Sequence, residues 1–135
     1  MSIAVPALSV RQPWAELILS GKKTVELRTY DTRYRGEIWL HTGQHYDVDA
    51  MNRFGYEELF TGGYVGKVTL EMVLPLDHER WNKWEQRHLA DGGYCPGFYG
   101  WILTNPHRFL NAVNGPGQLK LFWPDEHIVE LLNRA

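Results

Sequence analysis

The chain has 135 residues, of which 44% are hydrophobic and 22% are charged, and its formal net charge is −2. These values are typical of a soluble globular protein, and we interpret residues 1–135 as a single domain that is long enough to bury a core. The sequence has no run of about 18 apolar residues, which excludes a membrane-spanning helix. The net charge of −2 argues against a protein that coats long nucleic acid through its overall charge.

The N-terminal part of the chain predicts a strand, a helix and a second strand. An apolar run at residues 7–10 is the first strand. A helix follows at residues 13–20, where Pro13 suits the first helical position and Gly21 the C-terminal cap. Alternating side chains then predict a strand at residues 24–30.

The next strand opens at Gly36. Its alternation predicts that Ile38 and Leu40 point into the core, whereas Trp39 and His41 point to the opposite face.

The middle of the chain is less regular. Asp47 predicts the N-cap of a helix at residues 48–60. Because residues 42–63 are polar and interrupted by glycine, we expect them to form a partly mobile insertion over the barrel. The clearest strand covers residues 64–74, where apolar side chains that include Met72 alternate with polar ones until Pro75 ends the strand.

The C-terminal half predicts two helices and three strands. Asp77 caps a helix at residues 78–90, whose Trp81 and Trp84 share the core face. The remaining elements are strands at residues 98–104, 109–113 and 119–122, of which Asn105-Pro106 separates the first two, and a helix capped by Asp125. Because about six short strands and their helices show no regular βαβ alternation, we expect an α+β fold built as a small mixed β-barrel, flanked by three to four helices.

Positive charge is concentrated near the N-terminus. Residues 1–36 hold six basic and three acidic residues, a net charge of +3, whereas the other 99 residues carry −5. A local excess of this kind is expected of a site for a phosphate-bearing ligand.

Three sequence blocks lie in or next to this basic segment. They are Leu-Ser-x-x-Gln-Pro-Trp-Ala at residues 8–15, Gly-x-Lys-x-x-Glu-x-Arg at residues 21–28 and Arg-Gly-Glu-Ile-Trp-Leu at residues 35–40. Together they resemble the ASCH domain family, the activating-signal-cointegrator homology domains, whose motif is Gly-x-Lys-x-x-Glu-x-Arg. The four fixed positions of that motif are Gly21, Lys23, Glu26 and Arg28. The resemblance implies that residues 1–135 are a single ASCH domain with a PUA-like β-barrel fold.

The resemblance also implies a function. ASCH domains are regarded as nucleic-acid binders whose motif residues line a cleft, and we expect the partner to be RNA or another single-stranded nucleic acid. Lys23 and Arg28 would hold a phosphate or a base carbonyl. Glu26 would accept a hydrogen bond from an amino group on a base edge, as acidic side chains do with cytosine. The hypothesis requires these three side chains to converge on one concave wall.

Neighbouring residues complete the predicted site. The full ligand-binding set is Arg11, Gln12, Trp14, Lys23, Glu26, Arg28, Arg33, Arg35 and Trp39. Arg11 and Gln12 would lie at the rim, and the two arginines at positions 33 and 35 would follow the nucleic-acid backbone outside. Trp14 and Trp39, together with Tyr30 and Tyr34, offer faces on which a base can stack, a contact worth about 1–3 kcal/mol. Packing of Trp14 against the core is the alternative for that residue.

Enzymatic activity is the alternative function. Some small bacterial members of the family hydrolyse the acetyl amide of N4-acetylcytidine with a lysine, a threonine and a glutamate, and their lysine corresponds to Lys23. Their threonine falls where this chain has Glu26, and Thr24 would be a nucleophile displaced by about 6.6 Å along a strand, which is large against the placement that catalysis requires. An amidohydrolase of a modified nucleoside, or a weak ribonuclease, with Lys23, Thr24 and Glu26 as catalytic residues stays open, as does a protein-interaction module.

Metal and cysteine chemistry are not expected. His41 and His45 lie on either side of a turn, and the chain has neither a cysteine pair nor a His-Glu-x-x-His pattern, so we expect no metal and no cofactor. The single cysteine, Cys95, excludes an internal disulfide and is typical of a reducing compartment. Because residues 1–6 also lack the features of a signal peptide, we expect a cytoplasmic protein.

Overall fold

The computed structural model describes residues 4–135, which contain one six-stranded sheet and five helices. The strands are β1 (Ala7–Ser9), β2 (Val25–Arg28), β3 (Gly36–Thr42), β4 (Gly63–Pro75), β5 (Tyr99–Asn114) and β6 (Leu121–Phe122). The helices are α1 (Trp14–Leu19), α2 (Val48–Phe54), α3 (His78–Lys83), α4 (Glu85–His88) and α5 (Glu126–Leu132). None of these helices, within the range that the structure describes, is long and apolar enough to cross a membrane.

The sheet is mixed and curled. Its strand order is β2-β5-β4-β3-β1-β6, with β1 and β3 parallel and the other neighbours antiparallel. Three strands separate β2 from β1, yet Arg28 on β2 donates a hydrogen bond from Nη2 to the carbonyl oxygen of Ser9 on β1, at 2.6 Å. The sheet must therefore bend back on itself as a half-barrel, which confirms the predicted α+β class and the small mixed barrel of about six strands.

Two hydrophobic clusters bury both faces of β3. Ile38 and Leu40 lie in the first cluster, together with Trp101 of β5 and side chains of α1. Trp39 lies in the second cluster, where it packs against Phe109 with ring centroids 6.0 Å apart. The predicted alternation is correct, but the face opposite Ile38 is a second hydrophobic core, so Trp39 is buried there rather than available to a ligand.

The two longest strands differ most from the prediction. β5 runs through Asn105-Pro106 without a break, because Asn105 adopts a φ of +52° and the pairing with β4 shifts at this point as a β-bulge. On β4 the register shifts again between Leu70 and Met72, so Val73 is buried and Met72 is 47% exposed. The predicted inward position of Met72 is wrong, because a bulge reverses the alternation.

Helix α2 is shorter than predicted. Asp47 caps it as expected, accepting a hydrogen bond from the backbone N–H of Ala50 at 3.2 Å. The helix ends at Phe54 rather than residue 60, because Gly55 adopts the left-handed conformation with a φ of +78°. The following residues are held to the rest of the fold by the side chain of Gln12, whose Nε2 donates to the carbonyl oxygen of Phe60 at 3.1 Å.

The segment predicted as one helix at residues 78–90 forms α3 and α4, which accounts for five helices in place of three to four. Asp77 caps α3 as predicted, with its carboxylate accepting from the N–H of Arg80 at 2.8 Å. Trp84 interrupts the helix, and Leu89, with a φ of +61°, ends α4 before the glycine pair. Trp81 is buried, whereas Trp84 is only partly so.

Candidate functional site

The turn between α1 and β2 leads into the edge strand of the sheet, so the predicted motif lies at that edge. Gly21, at a φ of +81°, reverses the chain after α1, and the N–H groups of Lys22 and Lys23 both donate to the carbonyl oxygen of Leu17, each at 3.0 Å. This cap holds the backbone of Lys23 against the C-terminal end of α1. β2 then pairs with β5, and Glu26 lies opposite Trp101.

Lys23 is buried at the base of this region. Its side chain is 3% exposed, and its Nζ donates to the carbonyl oxygen of His88 at 2.6 Å. The same nitrogen lies 3.6 Å from Oε1 of Glu26 and 4.9 Å from the centroid of the Trp14 ring. Burial lowers the pKa of the Lys23 amine from its usual value of 10.5, and the Glu26 carboxylate opposes this shift because it stabilises the ammonium.

Glu26 lies between two cations. Its Oε1 faces the Lys23 amine, and its Oε2 accepts a hydrogen bond from Nε of Arg28 at 3.1 Å. Arg28 also bonds the Ser9 carbonyl oxygen, so its guanidinium spans the gap between β2 and β1. The Glu26 side chain is 10% exposed and the Arg28 side chain 20% exposed, and both residues line a cavity.

That cavity has a volume of about 450 Å³, and the three motif side chains contribute to its wall. Its ionisable and aromatic lining residues are Arg11, Trp14, Lys23, Glu26, Arg28, Asp47, His88 and Phe98. We call it the mixed-charge pocket, because cationic and anionic side chains share its wall. A cationic amine, a carboxylate and a guanidinium thus converge on one concave surface, as the sequence hypothesis requires.

Asp47 connects the rim of the pocket to α2. Its Oδ2 accepts a hydrogen bond from the indole Nε1 of Trp14 at 2.9 Å and lies 3.8 Å from Nη2 of Arg11. The Trp14 hydrogen bond is the main cause that lowers the pKa of the Asp47 carboxyl from its usual value of 3.8. Trp14 therefore both packs and lines the pocket, since its ring also meets Phe54 edge-on at 5.6 Å.

Other residues of the predicted site lie outside this pocket. Gln12 is buried and structural, because its Oε1 accepts from the backbone N–H of Glu16 at 2.9 Å. Trp39 is in the second hydrophobic cluster. Arg33 and Arg35 are exposed on the β2–β3 connection, and Arg35 donates to carbonyl oxygens of its own loop.

Thr24, the candidate nucleophile, also lies outside the pocket lining. Its hydroxyl accepts a hydrogen bond from Nε of Arg87 at 3.2 Å, and its backbone N–H donates to the Arg87 carbonyl oxygen. Thr24 therefore joins β2 to α4. Its side chain is not placed beside Glu26 at the cavity.

The histidines and the cysteine have separate environments. His41 is buried, with Nδ1 2.9 Å from Oγ of Ser9 and Nε2 2.9 Å from the carbonyl oxygen of Gly115. Cys95 is exposed and free. Over residues 4–135, no three His, Cys, Asp or Glu side chains are grouped in a way that would hold a metal ion.

Several pocket residues were not predicted as part of the site. His88 contributes its backbone carbonyl, a group that carries no sequence signal. Asp47 was recognised only as a helix cap, and Phe98 only as part of a strand. Ser9 lies within the Leu-Ser-x-x-Gln-Pro-Trp-Ala block, so the block itself was the signal that could have identified it.

Solved structures share this fold. The crystal structure of ASCH from Zymomonas mobilis superposes with a TM-score of 0.68 at 18% sequence identity, covering 97% of this chain and 94% of that chain. A Tyr-to-Phe mutant of the same protein, ZmASCH, gives a TM-score of 0.68 at 17% identity and covers 98% of each chain. At this level of identity the likeness supports the fold alone.

Sequence comparison identifies the family. A stretch of 33 residues, 24% of this chain, is 52% identical to Activating signal cointegrator 1 of Homo sapiens and spans 6% of that protein. The family model described as ASCH domain matches residues 8–112, which include the whole of the mixed-charge pocket lining. The chain belongs to the ASCH domain family.

Proposed function

We propose that this ASCH domain binds RNA, or another single-stranded nucleic acid, by accommodating a nucleotide in the mixed-charge pocket. The observation that carries the proposal is the convergence of Lys23, Glu26 and Arg28 on the wall of one cavity of about 450 Å³. Ligand cavities in proteins commonly begin at about 300 Å³, and they place a few polar groups on a mainly apolar wall. The local charge of +3 in residues 1–36 favours a ligand that carries phosphate.

The charged side chains retain hydrogen-bonding capacity for a ligand. An ammonium has three donors and a guanidinium five. Among residues 4–135, the hydrogen-bond and ion-pair partners of Lys23 and Arg28 are the His88 and Ser9 carbonyls and the Glu26 carboxylate. The remaining donors suit a base carbonyl or a phosphate oxygen. The Glu26 carboxylate has acceptor sites beyond those that these two cations use, and these sites suit an amino group on a base edge.

Aromatic and exposed cationic residues have supporting roles. Trp14 and Phe98 line the pocket, where they supply apolar surface against a base. Arg11 has a side chain that is 64% exposed, so it is available at the rim. Arg33 and Arg35 lie outside, and we assign them contacts with the backbone of a longer strand.

Binding of short single-stranded RNA at low salt tests the proposal. We expect Lys23→Ala and Arg28→Ala to weaken binding at least about tenfold, because each removes a charge-assisted hydrogen bond. Arg11→Ala should act in the same direction, and because Arg11 is exposed this variant keeps the fold intact. Lys83→Ala is the matched control, since Lys83 is exposed on α3 and does not line the pocket. Equal affinities for all four variants in folded protein would contradict the proposal.

A second candidate function is hydrolysis of an N4-acylated cytidine, or weak cleavage of RNA. Its support is the burial of Lys23, which lowers the pKa of an amine at the base of a cavity and so favours the neutral form that can accept a proton. Lys23 would be the base and Glu26 the acid/base group. Thr24 lies outside the cavity, so a nucleophilic role for it requires β2 to move.

Incubation with N4-acetylcytidine, and separately with a short RNA, distinguishes the two functions. Turnover that disappears in Lys23→Ala supports catalysis. Persistence of turnover in Thr24→Ala would assign the chemistry to Lys23 and Glu26 alone. Binding without turnover supports the first proposal.

A further inference from the structure

A second cavity adjoins the mixed-charge pocket. It has a volume of about 470 Å³ and shares Ser9, Arg11 and Arg28 with the first pocket, so the two cavities have a common wall. Another part of its wall is residues 117–120, which include Lys120 and belong to the loop of residues 115–120. We call it the basic cavity.

The two cavities differ in the charge of their walls. The mixed-charge pocket includes two carboxylates, those of Glu26 and Asp47. The ionisable side chains of the basic cavity are Arg11, Arg28, His41, His45 and Lys120, and the described part of the chain contributes no carboxylate to its wall. The basic cavity therefore suits an anion, whereas its neighbour suits a polar group of mixed character.

Two arginines and the lysine of this wall remain available to a ligand as cations. His41 is not among them, because both of its ring nitrogens are engaged within the protein, one with Ser9 Oγ and the other with the Gly115 carbonyl oxygen. Arg11 is largely exposed, and Arg28 keeps donors beyond the bonds to Glu26 and Ser9. Lys120 is exposed, with Nζ 5.4 Å from the centroid of the Tyr30 ring.

The loop that carries Lys120 is fixed to the sheet. Nε2 of His41 lies 2.9 Å from the Gly115 carbonyl oxygen, and the Tyr64 hydroxyl donates to the Pro116 carbonyl oxygen at 3.0 Å. Gly117 packs so closely on the imidazole of His41 that a Cβ at this position would overlap the ring. His41 thus acts as a positioning residue, which holds the loop where its lysine can face the two arginines.

We propose that the basic cavity holds the phosphate attached to the nucleoside that occupies the mixed-charge pocket. The ligand class is then a phosphorylated nucleotide, either free or as one unit of a strand, rather than an unphosphorylated nucleoside. This inference rests on the proposed function, because it assigns the base to the first pocket. Arg28 lines both cavities, so it would contact both parts of the ligand, and its planar guanidinium suits two-pronged contact with phosphate.

Calorimetric titration with the four ribonucleosides and with their 3′- and 5′-monophosphates tests the inference. For the base that binds most tightly, we expect at least one monophosphate to bind at least about tenfold more tightly than the nucleoside. Lys120→Ala should reduce this ratio by at least about threefold while the nucleoside affinity stays within about twofold of the wild type, because Lys120 lines the basic cavity and not the mixed-charge pocket. Lys83→Ala is the matched control.

A second pair of variants tests the loop without removing a charge. Gly117→Ala should displace the loop and reduce the phosphate preference, because its methyl group would overlap the His41 ring. Gly93→Ala is its control, since a Cβ at Gly93 would meet no atom within 4 Å. If Gly117→Ala loses the preference for the monophosphate and Gly93→Ala keeps it, the result supports the assignment of the loop.

The possible failures are distinguishable. Equal affinities for nucleoside and monophosphates, or a ratio that Lys120→Ala leaves unchanged, would overturn the phosphate assignment and leave base binding in the first pocket intact. A monophosphate that responds to Lys120→Ala but not to Lys23→Ala would overturn the base assignment while the phosphate cavity stands. If neither nucleosides nor monophosphates nor short RNA bind, both proposals are wrong.

Discussion

The amine of Lys23 lies 2.6 Å from the carbonyl oxygen of His88. This hydrogen bond joins the segment just before β2 to the end of α4. The two residues are 65 positions apart in the sequence. The same amine faces Glu26 at 3.6 Å. One side chain therefore takes part both in the packing of the fold and in the chemistry of the pocket.

Replacing Lys23 by methionine should lower the stability of the protein. Lys23→Met keeps most of the side-chain volume but leaves the buried His88 carbonyl without its donor, so we expect the free energy of unfolding to fall by about 1–3 kcal/mol. Lys22→Met is the matched control: Lys22 is exposed, and we expect a change within about 0.5 kcal/mol. Urea unfolding measures both, and equal stabilities for the two variants would show that the bond to His88 contributes little.

Removing the charge of Glu26 should be more damaging than removing a surface charge. Glu26→Gln leaves Lys23 and Arg28 close together without their shared carboxylate, which for a buried pair costs about 3–5 kcal/mol. Glu37→Gln breaks the exposed pair with Lys67 and should cost at most about 1 kcal/mol. A small effect of Glu26→Gln, measured by the same unfolding experiment, would mean that Lys23 is already neutral in the folded protein.

The two aspartates that precede α2 and α5 should respond differently to alanine. Asp47→Ala removes the cap of Ala50 N–H and the acceptor of the Trp14 indole, so we expect a loss of at least about 1–2 kcal/mol. Asp125 makes no side-chain capping bond, and Asp125→Ala should change stability by less than about 0.5 kcal/mol. Thermal unfolding of both variants measures the difference. Equal losses would contradict the assignment of Asp47 as both a cap and a support for the pocket.

Acid should destabilise the protein through two buried histidines. Burial lowers the pKa values of His41 and His88 from their usual 6.5, while hydrogen bonds to the Gly115 and Trp81 carbonyls act in the opposite direction. Below pH 6.5 the unfolded chain binds protons that these two folded-state imidazoles do not. The contribution to stability is therefore complete above pH 6.5 and is lost as the pH falls through the lowered values.

Unfolding free energies between pH 7.5 and pH 5 measure this dependence. We expect His41→Gln and His88→Gln each to lose stability less steeply than the wild type as the pH falls, whatever their stability at neutral pH. His127→Gln, at an exposed position on α5, is the matched control. A slope that neither buried-histidine variant reduces would assign the acid sensitivity to other groups.

Local patterns predicted the elements around the site better than those in the centre of the sheet. The helix before Gly21 and the strand after it follow from side-chain period and from a glycine that adopts a φ of +81°. β5 was predicted as two strands because Asn105-Pro106 is a common break, and only pairing with β4 shows that a bulge absorbs it. Glu26 and Arg28 share a face of β2 because they are two residues apart, but Lys23 precedes that strand, and its bond to His88 is a tertiary contact that no local pattern contains.

The same limit applies to Trp39. Its alternation with Ile38 and Leu40 was correctly read from the sequence, but whether the opposite face of a strand meets solvent or a second core depends on elements far along the chain. Here Phe122 and α5 cover that face. A stacking role for Trp39 would require those elements to separate.

The bond from Arg28 to Ser9 spans the open side of the half-barrel, and in the sheet formed by residues 4–135 β2 is an edge strand that pairs with β5 alone. The guanidinium therefore acts as a clasp between the edge strand β2 and β1, the strand next to the opposite edge strand β6. A ligand that engages Arg28 changes the strength of this link and therefore the free energy of local opening of β2. Amide deuterium uptake along β2 would then report pocket occupancy even at positions that no ligand touches.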